Sequence, residues 1–131
     1  MNGNKVLLDT NVIIFASQKK IDIARLLARY DHFYVSIISY METYGYNFKT
    51  SEEKILIDAL FNNLELIEIN KNIANQVVIY RKNRNKKIKL PDAILLATAK
   101  YLSADLATDD WGDFMGIDES VNIISIDDLK I

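Results

Sequence analysis

Acidic residues lie at four points where this chain passes between apolar segments, and their side chains are of the type that binds a divalent cation. In chain order, the four sites are Asp9, Glu42, Asp92 and the pair Asp109-Asp110. The first directly follows an apolar run at residues 6–8, and the last follows another that includes residues 106–107. Ligands of open α/β sheets bind outside the carboxyl ends of the strands, where such acids would gather. Because gathered carboxylates repel one another unless a cation holds them, the pattern predicts a hard divalent metal.

The identity of the metal is limited by the residues that could bind it. The chain has no cysteine and a single histidine, His32, so neither a thiolate site nor a histidine-based site can form. The ligands would then be oxygen atoms, which favour Mg²⁺ or Mn²⁺ over zinc.

The elements that must position these acids alternate between short strands and helices. Apolar runs and alternating patterns predict strands at residues 5–8, 33–36, 64–69, 105–108 and 121–126. Helical spacing, capping residues and Pro91 predict helices at residues 21–30, 39–48, 51–64, 72–83 and 91–102, with Ser51 and Asn72 at the starts of the third and fourth. This order implies right-handed crossovers and a mostly parallel sheet of about five strands, covered on both faces. At 131 residues, the chain is expected to be one α/β domain spanning residues 1–131.

Each acid also has a simpler structural explanation when it is considered alone. Asp9 could cap the helix that follows it, as could Asn11. Glu42 could lie on the solvated stripe of an amphipathic helix. Asp92 would interact favourably with the helix dipole, which should keep its carboxylate ionised. A metal site accounts for all four positions together, with Asn11 and Thr108 supplying polar groups that orient the carboxylates or a metal-bound water.

Composition excludes several other classes of protein. Half of the residues are hydrophobic and 26% are charged, which is ordinary for a globular protein. No apolar run approaches the roughly 20 residues that span a bilayer, and no signal-peptide pattern opens the chain. A cytoplasmic location without membrane attachment is the natural expectation.

Positive charge is concentrated in one segment, although the net charge is only −2. Six of the nine residues 81–89 are basic, and they end two residues before the acid at position 92. This segment could be a solvated helix end and loop. Its position beside a metal site instead favours a patch that contacts the phosphates of a ligand. The six candidate phosphate-binding residues, which would bind RNA if the chain is a ribonuclease, are Arg81, Lys82, Arg84, Lys86, Lys87 and Lys89.

The ordered set of acids carries a resemblance to a known family. The segments that carry it are residues 7–11, 36–45, 90–99 and 108–114. In this arrangement the chain is similar to a PIN domain and, more narrowly, to the VapC-type toxins of bacterial toxin–antitoxin pairs. The resemblance extends from Val6 to about Ile124. It implies a three-layer α/β/α fold and a ribonuclease that depends on Mg²⁺ or Mn²⁺.

The resemblance also implies roles for individual residues. Asp9, Glu42 and Asp92 match the first three acids of the family, and the usual T-x-D spacing makes Asp110 the fourth catalytic acid. Of these, Asp9, Asp92 and Asp110 would be the metal ligands. Asp109 is an additional acid, and Asp113, before Phe114, matches a further acidic position; both are supporting residues, as are Asn11 and Thr108. Trp111 departs from the small or charged residues that are common in this loop.

The binding partners and the RNA substrate of this protein are predicted only from the family resemblance. It implies a small antitoxin protein bound near the active site, a homodimer, and RNA cleavage that leaves 5′-phosphate and 3′-hydroxyl ends. Transfer RNA is the substrate that the resemblance favours, with ribosomal and messenger RNA left open. Aromatic residues around the second predicted helix could form the antitoxin groove, although such clusters more often belong to the core.

Three other classes of protein are compatible with parts of the sequence. A haloacid dehalogenase-type phosphatase would use Asp9 and the pair Asp109-Asp110, but Asn11 stands where its second aspartate is required. A catalytically inactive RNA- or antitoxin-binding module would keep the fold without needing the acids. A receiver-like signalling domain would need an aspartate after the third strand, where this chain has Asn70.

Overall fold

The central sheet is parallel throughout. The structure, a computed structural model, describes residues 4–131. Five strands pair in the order β3-β2-β1-β4-β5. Their bounds are β1 Lys5–Leu8, β2 His32–Ser36, β3 Glu65–Ile67, β4 Asp105–Thr108 and β5 Ile123–Ser125. The predicted α/β class and mostly parallel five-stranded sheet are therefore confirmed.

Within residues 4–131, six helices connect and cover these strands, and two short 3-10 turns lie near the carboxyl end of the chain. The helices are α1 Thr10–Ser17, α2 Ile23–Leu27, α3 Ile37–Tyr44, α4 Ser51–Phe61, α5 Lys71–Arg81 and α6 Leu90–Leu102. The 3-10 turns are η1 Trp111–Asp113 and η2 Asp127–Leu129. None of the helices in residues 4–131 combines the length and the apolar character needed to cross a membrane.

The helix starts differ from the predicted ones by one or two residues. Thr50, rather than Ser51, caps α4, because its hydroxyl accepts a 3.2 Å hydrogen bond from the Glu53 amide. Asn70, rather than Asn72, caps α5 by accepting a 2.9 Å bond from the amide of Ile73. A capping side chain must reach an amide two or three residues further on, and this geometry chooses between neighbouring polar residues.

Side chains of β1 alternate between two cores on opposite faces of the sheet. Leu7 packs with α5 and α6, whereas Val6 and Leu8 pack with residues of α1 and α4. All three side chains are fully buried. This period of two along a buried strand produces the predicted arrangement of helices on both faces of a sheet.

The strand order brings the ends of β1 and β4 together. Leu8 pairs with Ala107, and the Asp9 amide donates a 3.0 Å hydrogen bond to the Ala107 carbonyl oxygen. Chain order reverses around β1, which pairs with β2 on one side and with β4 on the other. Such a reversal opens a crevice at the carboxyl ends of the strands.

The aromatic residues of α3 pack against α4 at the edge of one core. The rings of Tyr44 and Phe61 lie 5.3 Å apart between α3 and α4, and the Tyr44 hydroxyl donates a 2.6 Å hydrogen bond to Asp58. Burial of the Tyr44 hydroxyl, together with this hydrogen bond, raises the pKa of Tyr44 to about 12. Tyr40, on the same helix, is 42% exposed. The cluster therefore holds α3 against α4 and leaves only its outer edge in solvent.

Candidate active site

Asp9 ends β1 and caps the helix that follows it. Its Oδ1 accepts a 2.6 Å hydrogen bond from the amide of Thr10, and its Oδ2 accepts one of 2.7 Å from the hydroxyl of Thr108. The side chain is almost fully buried. Burial, together with the charges of Asp92 and Asp109, raises the pKa of Asp9 to about 6 against the opposing effect of the two hydrogen bonds. Asp9 thus has the predicted structural role as a cap and also faces other acids.

Asp92 lies in the first turn of α6, directly after Pro91. Its pKa is also raised to about 6, first by burial and then by the charges of Asp113, Asp110 and Glu42, with Lys89 opposing the shift. The helix end favours the charged form, but burial and the neighbouring carboxylates outweigh its effect on the pKa. A pKa of about 6 still leaves most of this carboxyl group ionised at pH 7, which was the expectation from the sequence.

Glu42 reaches the same edge of the sheet from α3. Its Oε1 accepts a 2.6 Å hydrogen bond from the hydroxyl of Thr10, and that hydroxyl also lies 2.9 Å from Oγ of Ser39. Sequence reasoning assigned no role to Thr10 or Ser39. The available signal was the spacing of Ser39 and Glu42, which places both on one face of a helix. Thr10 therefore joins the start of α1, next to Asp9, to the helix that carries Glu42.

The two consecutive acids after β4 have different neighbours. Oδ1 of Asp109 is buried and has no hydrogen-bond partner among residues 4–131, and the charge of Asp109 acts on Asp9. Asp110 is exposed, and its amide donates a 2.9 Å bond to the Thr108 hydroxyl. Contact with the carboxyl group of Asp113, followed by burial and the charges of Asp113 and Asp109, raises the pKa of Asp110. Both members of the pair therefore border the crevice.

Asn11 and Thr108, two of the predicted supporting residues, differ in their contacts. Its side chain is exposed on the first turn of α1, and it makes no hydrogen bond to any of the acids within the part of the chain that the structure describes. Thr108, by contrast, is fully buried and contacts both Asp9 and Asp110. The hydroxyl of Thr108, and not the amide of Asn11, orients the carboxylate at the end of β1.

Most of the basic segment surrounds one surface groove. The groove has a volume of about 840 Å³, and its lining contains no acid; it is formed by Arg81, Lys82, Asn83, Arg84, Lys87, Ile88 and Lys89. Nη1 of Arg81 donates a 2.7 Å hydrogen bond to the carbonyl oxygen of Ile88, which closes the loop between α5 and α6. Lys89, at one end of the groove, lowers the pKa of both Asp92 and Asp110. The groove therefore continues to the acidic edge of the sheet.

Lys86 differs from the other five basic residues. Its ammonium group donates hydrogen bonds to the backbone carbonyl oxygens of Gly112 and Met115, in and after the turn η1. The structure places this charge against the segment that carries Asp110 and Asp113, outside the lining of the basic groove. Lys86 thus connects the basic loop to the acidic one.

The donor atoms at this edge suit a hard cation. They are carboxylate oxygens, and one of them, Oδ1 of Asp109, is buried without a hydrogen-bond donor in residues 4–131. The acids affect one another's pKa values, but within the described residues no three acidic or histidine side chains are already close enough to hold one ion. Carboxylate oxygens are the ligands that Mg²⁺ and Mn²⁺ prefer, and Mg²⁺ keeps several water ligands and needs few from the protein.

Comparisons with known proteins identify the family and agree with the fold. A family model described as PIN domain matches residues 6–119. A chain of VapBC2 from Rickettsia felis, bound to a DNA fragment from their promoter, superimposes with a TM-score of 0.78 at 22% identity, covering 94% of this chain and 99% of that one. A chain of DNA-bound VapBC from Salmonella typhimurium gives a TM-score of 0.77 at 20% identity, with coverages of 93% and 98%.

A third solved structure is more similar in sequence. A chain of a toxin–antitoxin complex from Klebsiella pneumoniae is 30% identical, with a TM-score of 0.72 and coverages of 91% and 95%. No protein of curated function matches the sequence. The family match extends over most of the chain and contains all the acids described above, from Asp9 to Asp113. The chain belongs to the PIN domain family.

Proposed function

We propose that this protein is a Mg²⁺- or Mn²⁺-dependent endoribonuclease that hydrolyses RNA phosphodiester bonds. The observation that carries the proposal is the position of Asp9 and Asp92 at the crevice beside β1, where each has a pKa raised to about 6 partly by neighbouring acids. Such mutually repelling carboxylates are characteristic of sites that bind a cation. PIN domains are generally nucleases that use a divalent metal, which supports the same activity.

Asp9, Asp92 and Asp110 would hold the metal, and Glu42 completes the acidic pocket. A divalent ion held there would activate water for hydrolysis and would stabilise negative charge on the phosphate. Thr108 and the Thr10 amide fix the orientation of Asp9 through bonds of 2.7 and 2.6 Å. The Thr10 hydroxyl holds Glu42 at 2.6 Å, so the two carboxylates are positioned through a single residue. Asp109 and Asp113 add negative charge that increases the affinity of the pocket for a cation.

RNA would be attracted by the basic groove, since the acidic pocket alone repels phosphate. Arg81, Lys82, Arg84, Lys87 and Lys89 surround this groove, and Lys89 lies beside the acids. Cationic side chains that contact phosphates release counterions from RNA and so provide affinity without sequence preference. Transfer RNA is the first substrate to test.

We further propose that the chain is the toxin of a type II toxin–antitoxin pair. Support comes from the solved structures that it resembles, which are described as VapBC or toxin–antitoxin complexes. By this analogy the protein forms a homodimer and is inhibited by a small antitoxin protein. Membership of the PIN family argues against the phosphatase and receiver-like alternatives.

The decisive experiment is cleavage of total RNA by purified protein in Mg²⁺, Mn²⁺ or EDTA. Asp9→Asn protein, shown to be folded by circular dichroism, is the matched control. Discrete fragments that require both metal and Asp9 would support the nuclease, and their mapped ends would identify the substrate. If folded protein free of any co-purified partner leaves RNA intact, an inactive RNA- or antitoxin-binding module becomes the better assignment.

A further inference from the structure

Trp111 occupies an unusual position next to the acidic pocket. It is the only tryptophan in the chain, and it begins the turn η1 directly after Asp110. Its side chain is 46% exposed, although an indole ring is large and mostly apolar. The turn has Asp110 on one side and Asp113 on the other, and both carboxylates act on Asp92. An exposed aromatic ring is therefore located between two acids of the pocket.

The backbone around Trp111 is held in place by several contacts. The amide of Asp113 donates a 3.1 Å bond to the Asp110 carbonyl oxygen, and the Phe114 amide donates one of 3.2 Å to that of Trp111. The Phe114 side chain is fully buried in the core on the α5 and α6 face. Lys86 adds its two bonds to the carbonyl oxygens of Gly112 and Met115. A fixed turn lowers the entropy cost of using the exposed indole as a binding surface.

The indole forms one wall of a groove of about 380 Å³. Met115, Val121 and Ile123 contribute apolar surface to the lining. Glu119, Ser120 and Asn122 contribute carboxylate, hydroxyl and amide groups. The groove is therefore lined by an exposed aromatic residue together with polar residues.

We propose that this groove binds an unpaired nucleobase of the RNA, stacked on the indole of Trp111. The inference rests on the proposed ribonuclease function and specifies its substrate as RNA that is single-stranded next to the cleaved bond. Every nucleobase has a π face for stacking and a polar edge for hydrogen bonds. Trp111 directly follows Asp110, so this groove begins next to the acidic pocket and extends from it towards the start of β5.

Charge favours a base over a phosphate as the occupant. Asp118 and Glu119 line the groove, and neither would tolerate a phosphate nearby. Asp118 is already bonded to Tyr80 at 2.5 Å and to Lys100 at 3.1 Å. Glu119 is exposed and can accept hydrogen bonds from the amino or imino groups of a base. The phosphates would instead follow the basic groove, which Lys86 connects to this turn.

The single tryptophan makes the inference directly measurable. Fluorescence of the Asp9→Asn protein in EDTA would be recorded while a short oligouridylate, or the same oligomer without bases, is added. Stacking should quench the emission with the oligouridylate, and the abasic oligomer should cause little change although its phosphates are the same. Emission that does not change while fluorescence anisotropy reports RNA binding would overturn the inference.

Substitutions provide a second readout that is independent of tryptophan emission. Anisotropy of labelled oligouridylate should show about tenfold weaker binding for Trp111→Ala, within the range expected for loss of one stacked base, and near-normal binding for Trp111→Phe. Tyr101→Ala, which removes a 50% exposed aromatic ring on α6, is the matched control. Equal affinity of Trp111→Ala and wild type would overturn the stacking role.

Two further outcomes separate the nucleobase site from the proposed nuclease activity and from self-association of the chain. RNA cleavage by wild-type protein without a Trp111 response would leave the nuclease assignment intact and refute only the nucleobase site. A concentration-dependent blue shift of the emission without RNA would mean that a second copy of the chain covers Trp111. That result would also refute the inference.

Discussion

The hydroxyl of Thr108 donates a 2.7 Å hydrogen bond to Oδ2 of Asp9, although the two residues are 99 positions apart in the chain. The same hydroxyl accepts a bond from the amide of Asp110. Thr108 thus connects the ends of β4 and β1 through one buried oxygen atom. The acids on the two strands are held in a fixed relation by a residue that is not itself charged.

Replacing Thr108 should destabilise the protein. Thr108→Val keeps the shape of the buried side chain but leaves Oδ2 of Asp9 without its donor. An unsatisfied buried acceptor costs about 1–3 kcal/mol. Urea unfolding should report a loss of that size for Thr108→Val and a much smaller one for Thr108→Ser, which retains the hydroxyl. Equal stability of the valine variant and wild type would mean that solvent replaces the donor.

Removing a charge from the acidic pocket should stabilise the metal-free protein. In Asp92→Asn, a partly buried carboxylate that lies near Asp110, Asp113 and Glu42 is lost. The melting temperature in EDTA should rise by roughly a few degrees. Mg²⁺ should raise the melting temperature of wild type, and this increase should be much smaller in the variant, because one of the proposed metal ligands is missing.

Glu65→Gln is the matched control for this experiment. Glu65 is exposed at the start of β3, so the variant loses one negative charge at the opposite end of the sheet. Its melting temperature and its response to Mg²⁺ should be those of wild type. If Asp92→Asn has a lower melting temperature than wild type in EDTA, repulsion between Asp92 and the neighbouring carboxylates does not destabilise the metal-free protein.

Lowering the pH should reduce the free energy of unfolding, in part because Asp118 becomes protonated. Burial would raise the pKa of Asp118, but hydrogen bonds from Ser120 and Tyr80 and the contact with Lys100 hold it well below its usual value of 3.8. Because the folded-state pKa is depressed, this group stabilises the fold above the unfolded pKa. That stabilisation is lost as the pH falls from about 4 towards the folded-state pKa.

Denaturation of Asp118→Asn at pH 7 and at pH 3 tests this linkage. The variant should be less stable than wild type at pH 7, and the difference should narrow at the lower pH. Tyr80→Phe, which removes one of the hydrogen bonds, should show a smaller deficit of about 1 kcal/mol. A deficit that is constant with pH would assign the effect to packing instead of ionisation.

RNA binding should depend on Lys87 through its charge alone. Lys87 is exposed and lines the basic groove. Lys87→Ala should weaken binding similarly for RNAs of different sequence and reduce the slope of log affinity against log salt by about 1. Lys71→Ala, an exposed residue at the start of α5, is the control. An unchanged slope would identify the segment as an ordinary solvated surface.

Local patterns in the sequence were sufficient to predict the fold class and the approximate position of every strand. Buried strands appear as apolar runs, and helices appear as apolar spacing bounded by capping residues, because neighbouring residues alone determine these features. Choices between adjacent caps, such as Asn70 over Asn72, were not predictable, since they depend on which side chain reaches a free amide. The bounds of α1 were also not predicted from the sequence.

Features of the site that join distant residues required the tertiary structure. The sequence identified the acids and the basic segment. It could not identify the contacts of Thr10 with Glu42, of Thr108 with Asp9, or of Lys86 with the turn after β4. It also could not show that the pKa of Asp92 is raised, because burial and neighbouring charge are properties of the folded molecule. Residue type determines which chemistry is available, and strand order decides which of those residues meet.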